Sequence, residues 1–356
     1  MINTKNTLVF VSSIVLLTTG ILFVVSKKTE PPSGNLENNK EIFEEINPAG
    51  PPELHPLAIE AMRDRLYPGS EIQIEQTFGE KAAYRQYVVS YLSDGFKIYA
   101  FLTVPKGSEP QDGWPVIIFN HGSIPPAQYR TAERYVAYVD YFASRGYVVF
   151  KSDYRGHGSS EGDPDSSWYS PAYVTDILNG IESVKRLPYV NAEKIGMWGH
   201  SSGGHITVSA MVISKDIKAG VIWAGLTATH DAMFDSWRNR IRRTNRPSTI
   251  PSPYQSSISL RQELVDKYGT WQENPEFWNS AAPTSYLADL SGPIQLHHGL
   301  NDERVPADYS GDLKDRIERA GKIAELYTYP GADHNLSQVF GTAMARSVQF
   351  FDKHLK

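Results

Sequence analysis

The pentapeptide Gly199–Gly203 reads GHSSG and has the G-x-S-x-G spacing that places a reactive serine on a sharp turn. An apolar run over 194–198 precedes it and another over 206–213 follows it, as expected where a buried strand turns directly into a helix. Glycine suits both flanks because a side chain there would clash with the neighbouring strand or helix. The pattern therefore predicts that Ser201 is a nucleophile exposed above a sheet.

A serine hydroxyl attacks a carbonyl readily only when a base accepts its proton and a third group holds that base in place. Asp302 and His334 each lie in a loop that follows a predicted strand, and such loops meet at the carboxyl edge of a parallel sheet. The sequence therefore predicts a catalytic triad of Ser201, His334 and Asp302. Asp302 is preferred as the acid because Glu303 would point away from the site. Asp333 is too close in sequence to His334 to span its ring.

Attack on a carbonyl develops negative charge on the oxygen, and a fixed N–H donor there is worth about 3–4 kcal/mol. The backbone N–H of Ser202 would be one donor because Ser202 opens the helix after the nucleophile. The segment Asn120–Ser123 follows a predicted strand and would supply the other donor. The sequence therefore predicts an oxyanion hole formed by the backbone N–H groups of Ser202 and Ser123.

The elements that must position these residues alternate between short β-rich runs and amphipathic segments from Tyr84 onward. Two runs joined by Ser93-Asp94-Gly95 predict an antiparallel hairpin at one edge of the sheet. Six later runs are almost wholly apolar, as in strands buried on both faces. The pattern predicts an α/β fold with an eight-stranded, mostly parallel sheet covered by helices. The predicted strands are 84–92, 96–104, 115–119, 147–151, 194–198, 219–223, 293–298 and 324–329, and the predicted helices are 131–144, 171–186, 202–213, 306–320 and 337–354.

About sixty residues, 226–284, separate the sixth and seventh predicted strands, far more than the usual connection in such folds. We predict a helical cap inserted after strand 6. Arg242 and Arg243 belong to a cluster of arginines in this insertion and could bind a carboxylate or phosphate of the substrate through bidentate hydrogen bonds. The alternative, a solvated basic helix face, is the favoured interpretation of that cluster.

Neither a metal nor a cofactor is predicted. His297 and His298 are adjacent on a predicted strand and would face opposite sides, and no H-E-x-x-H pattern accompanies them. The glycine-rich run 152–162 lacks the spacing of a dinucleotide-binding loop. We expect it to lie on the rim of the active site, braced by a pair between Asp153 and Arg155.

The composition of the 356 residues fits a globular α/β core, with 40% hydrophobic and 21% charged residues. A formal net charge of −5 argues against nucleic acid as a partner because no overall basic field exists. Cysteine is absent, which excludes disulfides, thiolate metal ligands and a cysteine nucleophile. A small-molecule ester or a short peptide is the expected substrate.

The N-terminal part of the chain is expected to reach a membrane. Residues 8–25 form an uncharged apolar run between Lys5 and Lys27, long enough to cross much of a bilayer as a helix. We predict a membrane anchor over 1–26, with a cleaved signal segment as the alternative. Residues 27–56 are rich in proline and asparagine and predict a flexible tether. The hydrolase domain, 57–356, would then be extracytoplasmic, or secreted if the segment is cleaved.

The combined motifs resemble the α/β-hydrolase superfamily, and in particular the catalytic domain of the prolyl oligopeptidase (S9) family and its short relatives without a propeller. The resemblance extends roughly from Tyr84 to Lys356. It implies an α/β-hydrolase fold and a serine hydrolase that works through an acyl-enzyme without a cofactor. The matching pieces are 119–122, 153–158, 199–204, 298–302 with 305–306, and 329–331 with His334.

The family resemblance implies a serine-type peptidase, but S9 peptidases typically carry a large N-terminal β-propeller. The residues before Tyr84 show no repeats of that kind. Carboxylesterases and dienelactone-hydrolase-like enzymes share the same triad, so an esterase is the alternative. A catalytically inactive binding protein on the same fold is the alternative from another class.

Overall fold

The computed structural model describes residues 54–233 and 255–356, and these residues contain a nine-stranded sheet in the order β1-β2-β3-β5-β4-β6-β7-β8-β9. Strands β1, β2 and β3 pair antiparallel with one another, and β3 also runs antiparallel to β5. All remaining neighbours pair in parallel. The strands are β1 Gln73–Thr77, β2 Tyr84–Ser93, β3 Phe96–Pro105, β4 Trp114–Asn120, β5 Val148–Ser152, β6 Val190–His200, β7 Ile217–Trp223, β8 Ile294–Gly299 and β9 Ala324–Tyr329.

The predicted α/β fold with a mostly parallel sheet is confirmed, but the number of strands is nine and not eight. The missed strand is β1, which pairs with the outer side of β2. All five of its residues are exposed, and four of the five are polar, so no apolar run marked it in the sequence. As a result, β1 and not the predicted hairpin forms the edge, and the long insertion follows β7.

Helices cover both faces of the sheet. The five predicted helices are present within a few residues of their predicted bounds, and the largest difference is at the helix Val136–Ala143, which begins after the left-handed residue Tyr135. The short helix Ile59–Asp64 was not predicted, and the helical insertion was predicted without bounds for its helices. The α-helices given by the structure are α1 Ile59–Asp64, α2 Val136–Ala143, α3 Ala172–Val184, α4 Ser202–Ile213, α5 Gln255–Tyr268, α6 Pro275–Ala281, α7 Asp308–Arg319 and α8 Phe340–Leu355.

Each face of the sheet has its own apolar core because successive strand residues point to opposite sides. In β6, Met197 joins the core beneath α3 and α4, whereas Trp198 joins the core beneath α2 and α8. Both side chains are fully buried. Trp198 also stacks on Phe119 of β4 with ring centroids 4.3 Å apart. The strand that carries the GHSSG turn is therefore held rigidly from both sides.

The described part of the insertion 226–284 contains α5 and α6. Their side chains form a small apolar cluster that includes Leu264 and Trp278 together with Leu57. His55 packs edge-on against Phe277, with ring centroids 5.4 Å apart, so folded contacts begin within the last residues of the predicted tether. Arg242 and Arg243 lie outside the described residues.

Within 54–233 and 255–356, no helix has the length and apolar character that crossing a bilayer requires. The apolar run 8–25, which carries the membrane prediction, lies outside these residues.

The loop after β5 is braced differently from the prediction. Arg155 pairs with Asp176 of α3, with Nη2 and Oδ1 2.6 Å apart, and not with Asp153. The Asp176 carboxylate also accepts the backbone N–H of Arg155 at 2.9 Å. The side chain of Asp176 is completely buried, so this ion pair lies in the interior of the protein.

Replacement Asp176→Asn should lower the free energy of unfolding by about 3–5 kcal/mol, because it removes the buried countercharge of Arg155 and leaves only the partly exposed Asp94, 3.0 Å away. Urea unfolding of the variant and the wild-type protein would measure the difference. Arg85→Gln is the matched control, since Arg85 pairs with Glu80 at 3.3 Å but is half exposed. Equal losses in the two variants would show that the buried pair adds no special stability.

Candidate active site

Ser201 lies on a sharp turn between β6, which ends at His200, and α4, which begins at Ser202. Its backbone has φ 55° and ψ −119°, a strained conformation for a residue other than glycine. Its N–H donates to the carbonyl of Trp223 at 3.0 Å. This backbone geometry is that of a nucleophile elbow.

The flanking glycines are explained by backbone contacts. A Cβ atom on Gly199 would lie 2.4 Å from the carbonyl oxygen of Gly203. A Cβ atom on Gly203 would lie 2.2 Å from the carbonyl oxygen of Asn120. Both distances are impossible for real side chains, so the turn needs glycine at each of these positions.

Asp302 and His334 are joined by a hydrogen bond at the same edge of the sheet. Asp302 follows β8 and His334 follows β9, and His334 Nδ1 lies 2.7 Å from Asp302 Oδ2. Both side chains are almost completely buried. Because the ionised carboxylate can only accept, Nδ1 carries the proton and Nε2 keeps a lone pair for a substrate-side proton.

The Asp302 carboxylate accepts further hydrogen bonds that keep it ionised. Its Oδ1 accepts the backbone N–H groups of Arg304 and Val305 at 2.8 and 2.9 Å. Burial on its own raises the pKa of Asp302, but hydrogen bonds from His298, His334 and these N–H groups outweigh it and lower the pKa. The carboxylate therefore stays charged and orients the imidazole of His334.

The other acids considered in the sequence do not contact His334. The carboxylate of Asp333 accepts the backbone N–H groups of Asn335 and Ser337 at 3.1 and 2.9 Å. Glu303 is largely exposed, and its Oε1 lies 3.8 Å from Arg304 Nε. The geometry thus favours Asp302 as the partner of His334.

Ser201 and His334 line one cavity of about 460 Å³. Within the described part of the chain no hydrogen bond joins Ser201 Oγ to the imidazole of His334. Catalytic hydrogen bonds of this kind often shorten only when substrate is bound. The structure thus brings the two residues to one cavity, and their catalytic roles stay predictions.

The predicted oxyanion donors, Ser123 and Ser202, are in contact with each other next to Ser201. Ser123 Oγ donates to Ser202 Oγ at 3.0 Å, and a Cβ atom on Gly122 would lie 3.1 Å from Ser201 Cβ. The N–H of Ser202 is in the first turn of α4 and has no acceptor within the helix. The N–H of Ser123 has no acceptor among the described residues either. Both N–H groups are therefore available to a developing oxyanion.

A second histidine, which the sequence analysis did not assign to the site, contacts the same carboxylate. His298 Nε2 lies 3.1 Å from Asp302 Oδ2, and His298 Nδ1 lies 2.7 Å from Ser310 Oγ. His297, its neighbour on β8, points to the other side and contacts Tyr329 and Gln295. The sequence did predict that His297 and His298 face opposite sides of β8. Since β8 ends at the site, one of these two rings could have been expected to contact the site, and it is His298.

A chain of hydrogen bonds links the loop at Gly122 to the loop of His334. The Gly122 N–H donates to the Tyr135 hydroxyl at 3.0 Å, and the hydroxyl donates to His200 Nδ1 at 2.8 Å. His200 Nε2 donates to the carbonyl oxygen of His334 at 3.1 Å. Burial, with a smaller contribution from the charge of His334, lowers the pKa of His200 to about 3, so this ring stays neutral.

No group of three or more histidine or acidic side chains that could hold a metal occurs within the described ranges.

Two family models match the chain. The model described as serine aminopeptidase, S33, matches residues 115–270, and that of the prolyl oligopeptidase family matches residues 252–356. Among curated relatives, the uncharacterized peptidase YtmA of Bacillus subtilis is 23% identical over 252 residues, covering 70% of this chain and 86% of YtmA. The uncharacterized peptidase YuxL of the same species is 24% identical over 262 residues, or 69% of this chain but only 34% of YuxL. This chain thus spans about a third of the length of one relative and most of the other.

Solved structures show the same fold. An acetyl xylan esterase from Paenibacillus sp. R4 aligns with a TM-score of 0.61 at 16% identity, covering 82% of this chain and 91% of the esterase. The acylaminoacyl peptidase of Pyrococcus horikoshii aligns with a TM-score of 0.56 at 22% identity, covering 77% of this chain and 42% of the peptidase. The fold and the placement of the elbow are those of an α/β-hydrolase. More particularly, the two family matches and the relatives support an S9-like catalytic domain, as the sequence resemblance predicted.

Replacement His298→Ala should reduce kcat for a p-nitrophenyl ester about 10- to 100-fold, since a hydrogen bond to a charged group is worth about 1.5–3 kcal/mol. KM should change little because His298 is fully buried beneath Asp302. His297→Ala is the matched control, as it also removes a buried ring from β8 but no contact with Asp302. An equal loss of kcat in both folded variants would contradict a specific role for His298.

Proposed function

We propose that this protein is a serine hydrolase that cleaves an ester or amide bond through Ser201, His334 and Asp302. The observation that carries the proposal is the 2.7 Å hydrogen bond from His334 Nδ1 to the buried Asp302, next to a strained serine in the same cavity. A surface serine and histidine would need neither the strain nor the buried carboxylate.

In the first step Ser201 Oγ attacks the carbonyl carbon while its proton passes to His334 Nε2. The carbonyl oxygen becomes an oxyanion, which the N–H groups of Ser202 and Ser123 stabilise. When the tetrahedral intermediate collapses, the bond to the leaving alcohol or amine breaks and His334 gives that group its proton. Asp302 stabilises the imidazolium form of His334 meanwhile.

In the second step water attacks the acyl-enzyme and gives a proton to His334. The bond between the acyl carbon and Ser201 Oγ then breaks, His334 returns the proton to Oγ, and the carboxylic acid product leaves. This sequence uses side chains and backbone N–H groups of the chain and requires no cofactor.

The substrate we propose is a short peptide or a related amide, with simple esters also cleaved. Both matching family models describe peptidases, and YtmA, which the alignment covers over most of its length, is also called a peptidase. Peptidyl p-nitroanilides compared with p-nitrophenyl esters of the same acyl group provide the test. Turnover of the esters alone would make the protein an esterase.

A fluorophosphonate probe should label the wild-type protein, because only an activated serine reacts with it. Ser201→Ala should abolish labelling and reduce ester turnover about 10⁶-fold. Ser202→Ala is the matched control and should retain labelling, since its backbone N–H remains. Labelling that persists in Ser201→Ala and disappears in Ser202→Ala would assign the nucleophile to Ser202.

We also propose that the protein is anchored in a membrane by residues 1–26, with the hydrolase domain outside the cytoplasm and residues 27–56 as a tether. The support is the uncharged run 8–25 between flanking lysines. A cleaved segment would instead yield a secreted enzyme.

Deletion of residues 1–26 should yield an active enzyme that needs no detergent, because every proposed catalytic residue and every described strand lies beyond residue 54. The full-length protein should remain in the membrane fraction after carbonate extraction. A carbonate-soluble protein whose N-terminus lies near Lys27 would contradict the anchor and support a cleaved signal.

A further inference from the structure

Two arginine residues line the cavity at Ser201. Arg134, in the loop before α2, and Arg304, in the loop after β8, both line it together with Ser201 and His334. None of the described residues that line this cavity is an aspartate or a glutamate. Its described wall therefore contributes positive charge beside the reacting atoms, and the carboxylate of Glu303, which does not line the cavity, lies 3.8 Å from Arg304 Nε.

The backbone at Arg134 is held in place by hydrogen bonds from Lys151 of β5. The buried ammonium group of Lys151 donates to the carbonyl oxygens of Thr131 and Arg134 at 2.8 and 2.7 Å. The guanidinium of Arg134 donates to the carbonyl of Gln128 at 3.1 Å and forms no ion pair with a described carboxylate. The loop thus adds a positive charge at the cavity that no carboxylate of the described residues pairs with.

The backbone of Arg304 is held by the proposed triad acid. Its N–H donates to Asp302 Oδ1 at 2.8 Å, while its side chain is 64% exposed. Burial raises the pKa of the Tyr135 hydroxyl, and the charge of Arg304 opposes part of that rise. The guanidinium therefore acts electrostatically on the part of the cavity that contains Tyr135.

The side of the cavity indicates which half of the substrate enters it. His334, Asn335 and Ser337 all contribute to its wall. His334 must pass its proton to the departing alcohol or amine, so that group leaves next to His334. On this mechanism the leaving group would occupy the part of the cavity that His334, Asn335 and Ser337 line.

We propose that this cavity is a subsite for a leaving group that bears a carboxylate, held by Arg134 and Arg304. The proposal rests on the proposed hydrolase function and narrows its substrate class. Guanidinium groups suit the task because their planar N–H donors match the two oxygens of a carboxylate. For an amide substrate, such a leaving group is an amino acid or peptide with its free α-carboxylate near the cleaved bond.

A matched pair of acetate esters tests this subsite. One is p-nitrophenyl acetate, and the other is the same ester with a carboxylate on the nitrophenyl ring. The wild-type protein should show a kcat/KM about 10- to 100-fold higher for the carboxylated ester, after correction for the spontaneous rates. The ratio should approach one in the double variant Arg134→Gln/Arg304→Gln, and the wild-type ratio should shrink at high salt.

Because the comparison is a ratio of the kcat/KM values for the two esters, any general damage to folding or to the catalytic groups cancels. Arg319→Gln, at the C-terminal residue of α7, is the matched control and should keep the wild-type ratio, since Arg319 does not line the cavity. A wild-type ratio near one, or a raised ratio that the double variant retains, would overturn the subsite. Preference for a carboxylate on the acyl half alone, tested with mono-p-nitrophenyl succinate, would also overturn it. Failure of the hydrolase function would appear differently, as no ester turnover and no labelling by the fluorophosphonate probe.

Discussion

The close approach of β4 to the first turn of α4 is the constraint on which the site depends. The carbonyl oxygen of Asn120 occupies the space where Gly203 would carry a Cβ atom, so the two backbones touch. That contact brings the loop of Ser123 beside Ser202 and forces the chain at Ser201 into a positive φ. Strain of this kind costs about 1–3 kcal/mol and persists because the strand pairing around it leaves no alternative. The core on both faces of β6 supplies that rigidity.

Burial and hydrogen bonding act in opposite directions on the groups behind the serine. Burial lowers the pKa of His200 to about 3, which leaves a neutral ring with one donor and one acceptor. Each nitrogen then makes one directed contact, to Tyr135 and to the carbonyl of His334. Burial alone would raise the pKa of Asp302, but hydrogen bonds from four N–H donors lower it by more and keep the carboxylate charged. The charged carboxylate of Asp302 and the neutral ring of His200 therefore lie in one buried region, where N–H donors stabilise the negative charge.

The fold and the residues that meet at the cavity could be predicted because they depend on local signals. Apolar runs marked the buried strands, and the chain order of Ser201, Asp302 and His334 placed each one at a strand end. β1 escaped prediction because an exposed edge strand needs no apolar pattern. The contacts of Tyr135 and His298 could not be predicted for another reason, since they depend on side-chain directions at the meeting of distant segments. The guanidinium groups at the cavity come from Arg134 and Arg304, which no pattern in the sequence distinguished from other arginines.

The pairing of β7 with β8 is independent of the long segment between them. Gly220 lies opposite Ile294 in an unbroken parallel register, although the whole insertion with α5 and α6 separates them in the chain. The entropy of closing a loop grows only with the logarithm of its length, about 0.6 kcal/mol for each doubling. An insertion of another length could therefore replace this one with little change in the free energy of pairing β7 with β8. The length of the insertion can thus change in evolution while the strands on either side of it, which precede the loops of the site, keep their alignment.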